Sequence, residues 1–204
     1  MTLLRFHRLN ACVLGLFIAL HLINHSLFVL GFETHLTVMT GLRHLYRAPI
    51  IEIPLLVLFA SQIVLGLALA WKRGRPQGKW AWAQVVSGGY LALFLLQHLG
   101  ATLSTRMFYA DIDTNSFWAA SVVSQQPFVS YFAPYYALAV LAIFTHIAAA
   151  LRFRNWARPA TFKQKALPVI GAVLGITSVG AMILHSQTGL PPNYQAYLDN
   201  FWGT

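Results

Sequence analysis

The residue type best placed to do chemistry in this chain is histidine. Eight are present, and two of them, in His21-Leu-Ile-Asn-His25, stand four apart inside an apolar run, residues 12–31, that holds no Asp, Glu, Lys or Arg. Neutral imidazole is a metal ligand and a proton carrier. An ionisable side chain in a segment long enough to cross a bilayer is costly to bury, so it marks a functional site by default. His98 and His146 fall within further apolar runs and His185 at the end of one. His7, His35 and His44 lie outside the runs, where interfacial or solvated roles are expected.

The elements that must position these side chains follow from hydropathy. The chain has 204 residues, 57% hydrophobic and 9% charged, against about a quarter charged in soluble domains. That composition points to one polytopic membrane domain over residues 1–204. Spans are expected at about 12–31, 50–70, 82–103, 132–151 and 166–184, each near the ~20 residues needed to cross the hydrocarbon core. Helices are the spanning form for runs of this length, because backbone groups in lipid must bond internally. The fold class is therefore all-α, a transmembrane bundle of five helices. The start of the chain is read as a retained helix rather than a cleaved leader, since the first run is too long and lacks a small-residue cleavage pattern.

Charge sets the expected topology. With the N-terminus cytoplasmic and the C-terminus external, the inner segments carry Arg5, Arg8, Lys72, Arg73, Arg75, Lys79, Arg152, Arg154, Arg158, Lys163 and Lys165. The outer ones carry only Arg43, Arg47 and Arg106, together with all the acids: Glu33, Glu52, Asp111, Asp113 and Asp199. This is a positive-inside pattern, so the net charge of +9 is a topology signal and not a nucleic-acid one. Trp71, Trp80, Trp82, Trp118 and Trp156 near span ends fit an aromatic belt. The long outer loop contains Asp113-Thr-Asn-Ser-Phe117-Trp118, which can cap a short interfacial helix before Pro127. Gly171, Gly175 and Gly180 would let the last span approach a neighbour closely.

At ~1.5 Å of rise per residue, His21 lies roughly 14–20 Å above the inner end, His25 roughly 20–26 Å, His98 about 25 Å and His146 about 10 Å. A first-span histidine and His98 can therefore meet in the outer half, while His146 stands in the inner half. Facing histidines at one depth suit a bis-imidazole centre, and b-type haem is the flat apolar group that fits a helical bundle. A lone histidine would more simply bond a neighbouring carbonyl, but three at helix centres tip the reading toward ligation. The spans offer no Cys pair and no carboxylate beside the histidines for zinc or copper. Cys12, the only cysteine, can form no disulfide within the chain. No nucleophile–base–acid arrangement and no phosphate-binding glycine loop is present.

These residues resemble the five-helix, single-subunit, dihaem cytochrome b anchor of succinate dehydrogenase and fumarate reductase. The likeness rests on Arg5-Phe-His7, His21-Leu-Ile-Asn-His25, Gln84-Val-Val-Ser-Gly88 with Phe94-Leu-Leu-Gln-His98, and Pro134 leading to His146. It runs from Arg5 to about Gly180. The resemblance implies that His21 and His98 are the axial ligands of an outer haem b, with His25 beside it near a propionate or a quinone. His146 maps to one ligand of an inner haem. The facing position, a histidine followed four residues later by glycine in the family, is here Gln62 before Gly66, so the inner pair is incomplete. The implied substrate is a membrane quinone, with Glu52 a candidate proton group. The implied partners are membrane lipid and flavoprotein and iron–sulfur subunits docked on the cytoplasmic face of the inner membrane. On this expectation the chain is an electron-transfer subunit and not a catalytic chain by itself. The alternative is a non-catalytic redox- or haem-sensing membrane anchor, which Gln62 favours. A transporter is less favoured, as no inverted repeat or broken span is visible.

Overall fold

The computed structural model describes residues 2–154, 157–187 and 189–202, with side chains described through Asp199. Among these residues the chain is all-α, without strands. Five helices are long and apolar enough to cross a membrane: α1 (Leu3–Ser26), α3 (Pro49–Arg73), α4 (Lys79–Phe108), α6 (Phe128–Arg154) and α7 (Phe162–Ser186). α3, α4, α6 and α7 each contain one of the expected spans and run on into polar sequence, because the backbone ladder of a helix continues past the last apolar side chain; α1 covers 12–26 of the first span and starts earlier than expected. α1 is prolonged by a 3₁₀ turn, Leu27–Leu30, and closed by Gly31 at φ 112°, a conformation that favours a residue without Cβ.

Three shorter helices gather at one end: α2 (Phe32–Tyr46), α5 (Ser116–Ser121) and α8 (Pro192–Trp202). α5 is the expected interfacial helix, and Asn115 caps it by accepting from the backbone N–H of Phe117 at 2.9 Å. α2 and α8 occupy segments that hydropathy leaves as loop and tail. We call this the capped end, and the opposite one, where Leu3, Arg73, Lys79, Arg154 and Phe162 lie, the basic end. All the acids of the chain lie in elements of the capped end. Arg43 forms a bidentate ion pair with Asp113, Arg47 approaches Asp113 at 3.6 Å, and Arg106 grips both oxygens of Glu52. These pairs tie α2 to the α4–α5 connection and α4 to α3.

The buried apolar core sits mainly in the cap. Phe28, Ala120, Val123, Phe128, Met182 and Leu198 form one cluster, and Ile112, Trp118 and Tyr194 another. Trp118 is thus buried against α8 and takes no part in a lipid-facing belt, whereas Trp71 and Trp82 are exposed as such a belt requires. Trp156 lies outside the described residues. Along the bundle the closest approach is between α6 and α7. A Cβ on Gly175 would stand 2.7 Å from the Ala137 carbonyl oxygen, and one on Gly171 2.7 Å from Phe144 Cβ. Gly180 makes no such contact. α4 is stitched to α6 by tyrosines: Tyr90 donates to the Tyr135 carbonyl at 2.8 Å and Tyr135 to the Phe94 carbonyl at 3.1 Å. α1 is held to α3 by Asn10, whose amide donates to the Leu58 carbonyl at 2.9 Å.

Candidate cofactor cavity

Between the α1–α3 pair and the α4–α6–α7 group lies a partly open cavity of about 1500 Å³. It runs the height of the bundle, from His7, Lys72 and Arg73 at the basic end to Arg47, Arg106 and Thr114 at the capped end. Most of its wall is aliphatic or aromatic. Protein interiors are packed to crystal density with few voids larger than a water molecule. The lining suits a large apolar occupant with a few polar contacts.

At the capped end the cavity brings together the histidines singled out by spacing. The rings of His21 and His98 meet edge-on, with centroids 6.0 Å apart and planes at 69°. Phe17 stacks on His21 at 5.6 Å and Phe94 on His98 at 5.2 Å, and Tyr136 stands edge-on to His98 at 6.4 Å. These aromatic neighbours fix the two ring orientations by packing. No described protein group bonds the ring nitrogens of either histidine. A separation of 6.0 Å would leave room for a metal held by both rings through bonds of ~2 Å. His21 is the first-span histidine in ring contact with His98, and His25, which lines the same cavity, stands edge-on to His21 at 4.5 Å.

His35 departs from expectation. It was placed in a solvated loop, yet it is fully buried. α2 folds back over the end of α1 and presses the His35 ring onto Phe28, with centroids 3.7 Å apart. Its Nε2 lies 3.2 Å from the Asn24 amide nitrogen and 3.4 Å from His25 Nδ1, and its Nδ1 lies 2.6 Å from Ser116 Oγ. An amide nitrogen can only donate, so His35 accepts at Nε2 and donates from Nδ1 to Ser116. Burial, then the neighbouring His21, pushes its pKa down to about 4. A buried Asn24 in an apolar helix was the sequence signal that a polar partner had to exist. Glu52, the candidate proton group, is occupied by Arg106.

At the basic end, His146 Nδ1 lies 3.2 Å from the Gln84 carbonyl oxygen and 3.2 Å from Ser87 Oγ. A carbonyl only accepts, so the proton sits on Nδ1 and Nε2 keeps its lone pair. His146 is not alone there. His7 lines the same end, with Nε2 3.4 Å from the Gln62 amide nitrogen and Cε1 close over Gly66. His7 Nδ1, Gln62 Oε1 and Gln84 Oε1 are buried without a protein partner, a cost of about 1–3 kcal/mol each unless an occupant answers them.

Compared with family models, with curated proteins and with solved structures, the chain finds no match. The functional reading therefore rests on the cavity and its side chains.

Proposed function

We propose that this chain is a haem b-containing membrane anchor. On this reading it passes electrons between a quinone and dehydrogenase or reductase partner subunits, like the succinate dehydrogenase and fumarate reductase anchors it resembles. The observation that carries it is the pair His21 and His98, brought from two helices to within 6.0 Å, centroid to centroid, in the lining of a largely apolar cavity. Bound there, haem b would supply a one-electron redox centre. The chain's own residues do the rest. His21 and His98 offer free ring nitrogens from two helices. Phe17, Phe94 and Tyr136 hold those rings and exclude water. Arg47, which bonds Thr114 and stands 3.6 Å from Asp113, lines the capped end, where it can also meet an anionic group of the occupant. The His25–His35–Ser116 contacts keep the neighbouring imidazole in place.

The basic end, with its excess of Lys and Arg, supports a cytoplasmic placement in the inner membrane by the positive-inside rule. It is also the face offered for docking of flavoprotein and iron–sulfur subunits. A pyridine haemochrome assay on the purified protein tests the reading: haem b is expected, and its absence would end it. Gln62 favours the second reading, a haem- or redox-sensing anchor without turnover. The two differ in whether flavin and iron–sulfur subunits copurify with the chain from native membranes.

A further inference from the structure

The basic end of the cavity has a cationic rim over an apolar wall. Lys72 and Arg73, in the last turn of α3, line the cavity and remain exposed. The wall beneath them includes Leu4, Leu67, Ala70, Val85 and Ile147. Such a slot matches an amphiphile with negative charge at one end. We infer that the basic end of the cavity binds an anionic phospholipid of the adjoining leaflet, its phosphate at Lys72 and Arg73 and an acyl chain along the apolar wall. The inference needs no haem and is independent of the function proposed above.

Nothing in the chain neutralises this rim. The acidic side chains all lie at the capped end, and the described ion pairs lie there with them. Basic pockets between membrane helices are sites of anionic headgroup binding. Arg73 is also held in place. Its guanidinium carbon lies 4.5 Å from the centre of the Phe153 ring, a cation–π contact that reaches from α3 to α6 across the mouth. The guanidinium N–H groups form a planar fork that matches phosphate oxygens in pairs.

His7 supplies a contact below the rim. The Gln62 amide nitrogen lies 3.4 Å from His7 Nε2. An amide nitrogen can only donate, so Nε2 accepts and the ring proton sits on Nδ1. That Nδ1–H is buried without a protein partner, and buried donors are as a rule satisfied. His7 stands four residues into α1, about 6 Å along the axis. The interfacial layer on each side of the hydrocarbon core is about 5–7 Å thick, and the ester carbonyls of a phospholipid lie in it. His7 Nδ1 can thus donate to an ester carbonyl, with Gln62 as the positioning residue that sets its tautomer. Gln62 Oε1 and Gln84 Oε1, also buried without a protein partner, can accept from water that the headgroup carries in.

The test uses the full chain purified in mild detergent. Native mass spectrometry should show a retained anionic phospholipid. Phosphatidylglycerol added to delipidated protein should bind and raise its melting temperature, and phosphatidylcholine with the same chains should not. Lys72→Gln and Arg73→Gln should each weaken phosphatidylglycerol binding about fivefold, with a smaller loss in Arg73→Lys. His7→Phe keeps a ring, removes the donor and should also weaken it. Arg75→Gln and Lys79→Gln remove equal charge from residues outside the cavity lining and should leave binding unchanged. An equal loss in these two variants, equal binding of phosphatidylcholine, or no retained lipid would overturn the inference. So would an equal thermal shift from inorganic phosphate, since the acyl chain would then contribute nothing. A chain that binds the lipid but carries no haem would end the proposed function and leave this inference standing.

Discussion

The two levels of the cavity hold imidazoles by different means. At the capped end the rings of His21 and His98 are clamped by Phe17, Phe94 and Tyr136, beneath a cap that contains most of the buried core. At the basic end His146 is held by a carbonyl and a hydroxyl, and His7 by an amide. Packing restrains a ring without touching its nitrogens, so both remain free. A hydrogen bond commits one nitrogen and dictates the tautomer. The first device needs a dry and crowded setting, which α2, α5 and α8 provide. The second works near the ends of helices, where the bundle is less enclosed.

The largest expected effect separates the levels outright. His98→Ala should abolish the capped-end haem, read as a loss of haem per chain in the haemochrome assay; unchanged haem content would break the comparison. Next is the wall that both levels share. Gly175→Val must push a side chain into the Ala137 carbonyl, at a cost of about 1–3 kcal/mol or more for overpacking. It should lower the thermal transition seen by size-exclusion chromatography in detergent and reduce haem per chain; unchanged haem would show that the cavity does not depend on this seam.

His35→Phe should keep the stack on Phe28 but strand Asn24 and Ser116, costing about 1–3 kcal/mol, without removing haem. It should also change the pH response. His35 titrates at about 4 in the fold, below its unfolded value of about 6.5. Between those values the unfolded chain binds more protons, so stability falls as pH drops from ~6.5 toward ~4 and is level above that window. The His35 share of this slope should vanish in the variant, as measured by melting across the pH range. The smallest effect belongs to Asp113→Asn. The Arg43 hydrogen bond holds the Asp113 carboxyl below its ordinary range, so its contribution is present above about pH 3.9 and lost as pH falls through the lower folded value. Asp113 is half exposed, and screening keeps the contribution under ~1 kcal/mol. A larger change would mean that the cap depends on this ion pair more than its exposure allows.

The spans were legible in the sequence because about twenty apolar residues in a row have few other uses. His21 and His98 were legible for a related reason, since an imidazole in such a run stands out against its surroundings. The cap was not. Whether Phe32–Tyr46 lies on the surface or folds over α1 depends on what α5 and α8 leave uncovered, and no local pattern records that. His35 consequently read as a loop residue. His7 was missed as a neighbour of His146 because it precedes the apolar run, although it lies well inside α1. The tautomer of His146 depends on a main-chain carbonyl 62 positions away in sequence, which side-chain identity cannot report.

The glycine seam between α6 and α7 also bears on assembly. α4, α6 and α7 are joined by direct contacts of backbone and tyrosine that do not involve the cavity's occupant. α1 and α3 line the other side of the cavity and meet that group mainly toward the capped end, through the ion pair of Arg106 with Glu52, the contact of Ser26 with Ser178 and the packing of Phe28 with Phe128 and Met182. The part of the chain made last by the ribosome is therefore the part that can pack on its own. If the proposed haem binds in the cavity, it would join the two spans made first to the three made later across the space between them.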